Sequence, residues 1–255
     1  MGERSPVSGD PLTRRGSGPK PSRLVDTLSV IYDAAHWRLL KSIRERTISI
    51  FGSLATWGNS VLVHGSVARG DVDEKSDIDI LIPIGVSTQL VEAQLASSGN
   101  IPYSREITQA TPKHSPKAHI YLDPERTASI TIPLSEFRRL ELDFYKFGGT
   151  ATMEDLRRGI RRPGCTKRLS LIQPTDDGHI ESPIVGRESE VARLLSVSSD
   201  IVRERIRVLT RRDTIGRTGV FLKLVVPEGA SFEEVLKSEA ESNPALRRTL
   251  RANQR

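Results

Sequence analysis

The sequence predicts an α/β (α+β) chain, with a mixed-sheet domain followed by a small helix–turn–helix-like unit. Three observations carry this expectation. Short apolar runs at 60–64 and 78–84 alternate with stretches of helical spacing, as strand and helix periods require. Three β-rich stretches follow, at 103–111, 117–123 and 128–133, separated by Pro-containing turns. Residues 188–209 then show two short periodic segments around a tight turn.

Residues 1–22 are rich in Gly, Pro, Ser and Arg, offer little apolar surface to offset ordering entropy, and read as a disordered tail. From Arg23 to about Ile50, apolar residues recur at threes and fours, which predicts a long helix. Ser60-Val-Leu-Val-His64 reads as a buried strand that turns at Gly65-Ser66 into a short helix. Ile78 to Ile84 is the next strand, followed by a helix over 87–97 that stops at Gly99-Asn100. After the three β-rich stretches, a helix over 135–146 ends at Gly148-Gly149. The dense basic run Arg157 to Arg168, broken by Pro163-Gly164, marks a boundary near 160. The expected domains are therefore 23–158 and 160–255.

A chain of 255 residues has room for two cores. It holds no apolar run long enough to span a bilayer and no signal-peptide pattern, so no membrane partner and a cytoplasmic location are expected. The single Cys165 excludes an intrachain disulfide and a cysteine-clustered zinc site. A net charge of +6 favours a polyanionic partner, although an Arg-rich solvated surface accounts for it equally well.

Chemistry concentrates between Val61 and Pro83. Gly65 lets the backbone approach a ligand, and Ser66 offers a hydroxyl and a free N–H at a helix start, an arrangement suited to a triphosphate. Asp77 and Asp79 are alternate residues of a strand, so their carboxylates share one face while Ile78 and Ile80 point to the core. Two like charges side by side call for a cation, and hard oxygen ligands favour Mg²⁺, or Mn²⁺, carrying phosphates and water.

Gly65-Ser-Val-Ala-Arg-Gly70, a six-residue spacer, and Asp77-Ile-Asp79 with Ser76 before it resemble the DNA polymerase β type nucleotidyltransferase superfamily, above all its small bacterial and archaeal members. The resemblance is strong over 58–84 and implies a nucleotidyltransferase fold. It implies that Gly65 and Ser66 hold the β- and γ-phosphates, that Asp77 and Asp79 ligate metal, and that Arg69 matches the motif's arginine in the nucleotide site. Similar small members commonly use ATP. The superfamily usually adds a third carboxylate on the strand after the next helix. Glu106 is preferred for that role, as the residue a right-handed crossover would bring alongside; Asp123, before Pro124, is its rival and reads more simply as the start of a turn. An exposed strand carboxylate accounts for either. His114, in a small basic loop with Lys113 and Lys117, could touch phosphates or simply be a solvated turn.

In the second unit, Ala192, Leu195, Val197, Val202, Ile206 and Leu209 give the spacing of a helix, a turn and a second helix. A basic loop, Arg211 to Gly219 with Arg212 and Arg217, and a strand, Val220 to Val226, follow, an order similar to a winged helix-turn-helix. Ser196 stands where the turn often has Gly. Arg203, Arg207 and Arg211 fall on a stripe away from the apolar face and could enter a groove of duplex DNA, or form the solvated face of a protein-interaction module. Ser231 to Leu250 predicts one or two closing helices.

The expected function is transfer of a nucleoside monophosphate from a triphosphate to an acceptor hydroxyl, with a protein acceptor among the candidates. The competing readings are a DNA-binding or antitoxin-like regulator that only binds nucleotide, and a template-independent polymerase.

Overall fold

The computed structural model describes residues 26–216 and 219–252. The expected N-terminal tail and Arg217 lie outside the described residues. A seven-stranded mixed sheet carries the larger core. Its strands are β2 (Leu62–His64), β3 (Ile78–Leu81), β4 (Ser104–Gln109), β5 (Lys117–Tyr121), β6 (Ala128–Pro133), β7 (Thr150–Ala151) and β11 (Leu222–Val225), in the order β11-β4-β5-β6-β3-β2-β7. All neighbours are antiparallel except β3 and β6, which run parallel with Asp79 opposite Ser129. The helices of this part are α1 (Ala34–Ser53), α2 (Ser66–Arg69), α3 (Thr88–Ser97), α4 (Arg139–Phe147), α5 (Met153–Arg157), α8 (Phe232–Ser242) and α9 (Pro244–Ala252).

The strands alternate as a half-polar sheet demands. Ile78 and Ile80, Ile130 and Ile132, and Ala118 and Ile120 point to one side, where they share a core with α1, α3 and α8 through Leu40, Val91 and Phe232. The other side of β6 carries Ser129 and Thr131.

A second, four-stranded antiparallel sheet has the order β1-β10-β9-β8, with β1 (Leu28–Ile31), β8 (Gly164–Cys165), β9 (Ser170–Thr175) and β10 (Gly178–Pro183). Helices α6 (Glu188–Leu194) and α7 (Ser199–Ile215) close its core around Leu171, Ile184, Val202 and Leu209. Helix α4 lends Phe147 to that core, and its Asp143 accepts the Ser198 N–H at the start of α7 at 3.0 Å.

Three expectations need correction. Leu28–Ile31 is a strand rather than the first turn of a helix, because Asp33 caps α1 by accepting the His36 N–H at 2.7 Å. The strand after α7 does not form a wing beside the helix pair. It pairs with β4, where Leu224 lies opposite Ile107 and completes the edge of the main sheet. The boundary near 160 is also crossed twice, since β1 joins the second sheet while β11, α8 and α9 join the first. No helix among the described residues is long and apolar enough to cross a membrane.

Candidate active site

Strands β2 and β3 are adjacent, with His64 opposite Asp79, and this register brings the Gly65-Ser66 turn next to the carboxylate pair. Gly65 has φ +86°, a conformation that any side chain would strain, and it donates its N–H to the Gly149 carbonyl at 3.0 Å. Ser66 opens α2, and its hydroxyl donates to the Ser76 hydroxyl at 3.2 Å. Ser76 is further tied to Asp73, whose N–H donates to the Ser76 oxygen at 2.9 Å. The spacer between the two halves of the motif is thus folded back onto its own start.

Asp77 is exposed and Asp79 half-buried, while Ile78 and Ile80 are buried, as strand alternation requires. Burial first, and then the like charge of Asp79, push the Asp77 carboxyl above its ordinary pKa. Asp79 accepts the Ser129 hydroxyl at 2.8 Å. Among the described residues no group of three or more His, Cys, Asp or Glu could hold a metal ion by itself. Two neighbouring carboxylates of like charge nevertheless fit one hard cation that keeps water or phosphate oxygens as its remaining ligands.

Glu106 is not brought to this pair. The helix α3 leads to β4, and β5 and β6 lie between β4 and β3, so the parallel neighbour of Asp79 is Ser129. Glu106 instead accepts from Arg126 at 2.6 Å and pairs with Lys223 of β11 at 3.3 Å. Burial would raise its pKa, but those two cations outweigh burial and lower it. Asp123 is equally engaged, accepting from the Thr127 N–H at 2.7 Å, the Ala128 N–H at 2.9 Å and Arg46 at 3.2 Å. Its turn-forming reading is the one its contacts match.

Arg69 is buried and braces the loop. It donates to the Gly148 carbonyl at 2.6 Å and to Asp71 at 2.9 Å, so its guanidinium does not face the Asp77/Asp79 pair as a free cation. His114 closes its own turn against the Thr111 hydroxyl at 2.6 Å.

Several residues of the site escaped the sequence reading. Arg44 of α1 is buried and donates to the Val67 and Ala68 carbonyls at 3.0 and 3.2 Å, holding α2 in place. His119 sits between the Thr108 and Thr131 hydroxyls at 2.8 and 3.0 Å, and burial, then Lys117, lower its pKa to about 4, leaving it neutral. The alternation Ala128-Ser-Ile-Thr-Ile132 was a legible signal that one side of β6 is polar.

On α7, Arg203, Arg207 and Arg211 are exposed while Ile201, Val202 and Leu209 are buried, and Arg203 pairs with Asp200 at 3.1 Å.

Residues 38–140 match the family model described as a nucleotidyltransferase domain, a span that includes both Gly65-Ser66 and Asp77/Asp79. No curated protein matches the chain.

Proposed function

We propose that this chain transfers a nucleoside monophosphate from a nucleoside triphosphate, ATP in the first instance, to an acceptor hydroxyl with release of pyrophosphate. The observation that carries the reading is the Asp77/Asp79 pair held beside the Gly65-Ser66 turn by the β2–β3 register, inside the matched domain. Mg²⁺ or Mn²⁺ bound there would neutralise phosphate charge and stabilise the leaving pyrophosphate. Asp77 and Asp79 would hold that ion, the Ser66 hydroxyl and N–H would orient the terminal phosphates, and Arg44 and Arg69 would keep the loop in shape. A protein hydroxyl is one acceptor that this reading admits, and a cytoplasmic location goes with it.

A second reading, nucleotide binding without transfer, is favoured by one observation: Ser129, not a carboxylate, stands on the strand parallel to Asp79. The arginine stripe of α7 supports duplex DNA as a further partner under either reading.

Incubating the full chain with α-labelled triphosphates, Mg²⁺ or Mn²⁺ and cell extract, while measuring pyrophosphate, separates the two. Transfer predicts label on an acceptor and pyrophosphate release, both lost in Asp77→Asn/Asp79→Asn by at least about a hundredfold. Metal-dependent nucleotide binding without pyrophosphate would establish the second reading. Unchanged MgATP affinity in the double variant would refute both.

A further inference from the structure

The second sheet reaches the candidate active site through the turn between β8 and β9. Gly65 donates to the Gly149 carbonyl, and Gly149 lies directly against Gly164, the first residue of β8. A Cβ on Gly164 would fall 2.4 Å from the Gly149 nitrogen, so the two backbones meet only because Gly164 has no side chain. The strand β8 then reverses at once. The Thr166 N–H donates to the Ser170 carbonyl at 2.8 Å, the Leu169 N–H to the Thr166 carbonyl at 3.2 Å, and the Arg168 N–H to the Thr166 hydroxyl at 3.1 Å. Cys165 and Leu169 anchor this turn in the second core, which leaves Lys167 exposed at its tip.

The turn that bears Lys167 at its tip therefore begins at Gly164, two backbone contacts from Gly65. None of the ion pairs among the described residues includes Lys167.

A triphosphate brings several negative charges to two carboxylates, and one divalent cation does not balance them. Arg69 is occupied by Gly148 and Asp71. We propose that Lys167, carried by the β8–β9 turn of the second sheet, binds the β- and γ-phosphates of the incoming nucleoside triphosphate. The second sheet is then part of the substrate site rather than a separate module. This inference rests on the nucleotide-binding reading above.

The test is MgATP titration of the full-length protein, with Lys167→Met, Lys167→Arg and Asp77→Asn/Asp79→Asn beside the parent. Loss of a charge-assisted phosphate contact should weaken ATP binding by roughly 10- to 100-fold in Lys167→Met, with an unchanged melting temperature. Lys167→Arg should stay within about fivefold of the parent, because it keeps a cation at the tip. A Lys167→Met protein that binds ATP as the parent does overturns the inference, as does a loss that Lys167→Arg fails to restore. If the double aspartate variant loses binding while Lys167→Met does not, only the role of Lys167 fails. If the parent binds no triphosphate, the nucleotide reading falls and takes this inference with it.

Discussion

At the scale of single residues, two carboxylates that look alike in the sequence have opposite surroundings. Burial and the like charge of Asp79 raise the Asp77 pKa, so its charged form costs stability once pH rises above the unfolded value. Asparagine at 77 and 79 should therefore leave the melting temperature equal to or slightly above that of the parent, within about 0.5 kcal/mol, while metal-dependent nucleotide binding disappears. Thermal melting alongside MgATP titration checks both halves, and a double variant that unfolds would show the pair to be structural.

Glu106 behaves in the opposite sense. Its side chain is 4% exposed, whereas those of Arg126 and Lys223 are 37% and 52% exposed, so its removal strands no fully buried cation. Glu106→Gln should cost about 1–2 kcal/mol of stability and leave pyrophosphate release intact. Because the folded pKa is lowered, that stabilisation is complete above the unfolded value and disappears as pH falls through the folded one. The melting difference between parent and variant should hold at neutral pH and shrink below about pH 4.5. A variant that melts normally yet loses turnover would restore Glu106 to the catalytic set.

At the scale of elements, α7 has two unlike faces. One packs Val202 and Leu209 into the second core, and Arg205 lies over the Phe144 ring at 5.0 Å. The other exposes Arg203, Arg207 and Arg211. If that face clamps duplex DNA, affinity should fall with salt, and Arg207→Ala should reduce the log–log slope by about one unit and Arg203→Ala by less. Arg203 should contribute the smaller share, since Asp200 already partners it. Filter binding of the full chain across a salt series measures this, and identical slopes would assign the stripe to solvent. Ser196, at the α6–α7 turn, has φ +53°, so the backbone takes there the left-handed conformation for which glycine is the usual residue.

At the scale of the whole molecule, the chain is laced rather than strung as two beads. The segment after α7 returns to the first sheet, where β11 covers the edge of β4 and Phe232, Leu236 and Leu246 enter the main core. Removing residues 219–255 would uncover that core. Each large apolar side chain contributes about 1.5–3 kcal/mol on burial, so the loss approaches the whole stability of a typical domain. A chain ending at 218 should lack a cooperative melt and be cleaved readily by protease. A cooperatively folded truncated protein would show that the closing helices are accessory.

Local chemistry was legible in the sequence by itself: the strand–turn–helix at Gly65-Ser66, the shared face of Asp77 and Asp79, the strands at 104–109, 117–121 and 128–133, and the paired helices α6 and α7. Periodicity and turn chemistry are properties of neighbouring residues, so one dimension suffices to read them. The β9–β10 hairpin was within reach too, from the Asp-Gly turn in Thr175-Asp-Asp-Gly178. Only the tertiary structure decided which strand lies beside which. Strand order placed Glu106 two strands beyond the nearest neighbour of Asp79, gave that neighbouring place to Ser129, and gave β11 to the main sheet. It also set Gly164, where the turn bearing Lys167 begins, against Gly149. Such contacts join residues from 15 to 119 positions apart, and they are selected by the burial of a common core rather than by any preference of the local chain.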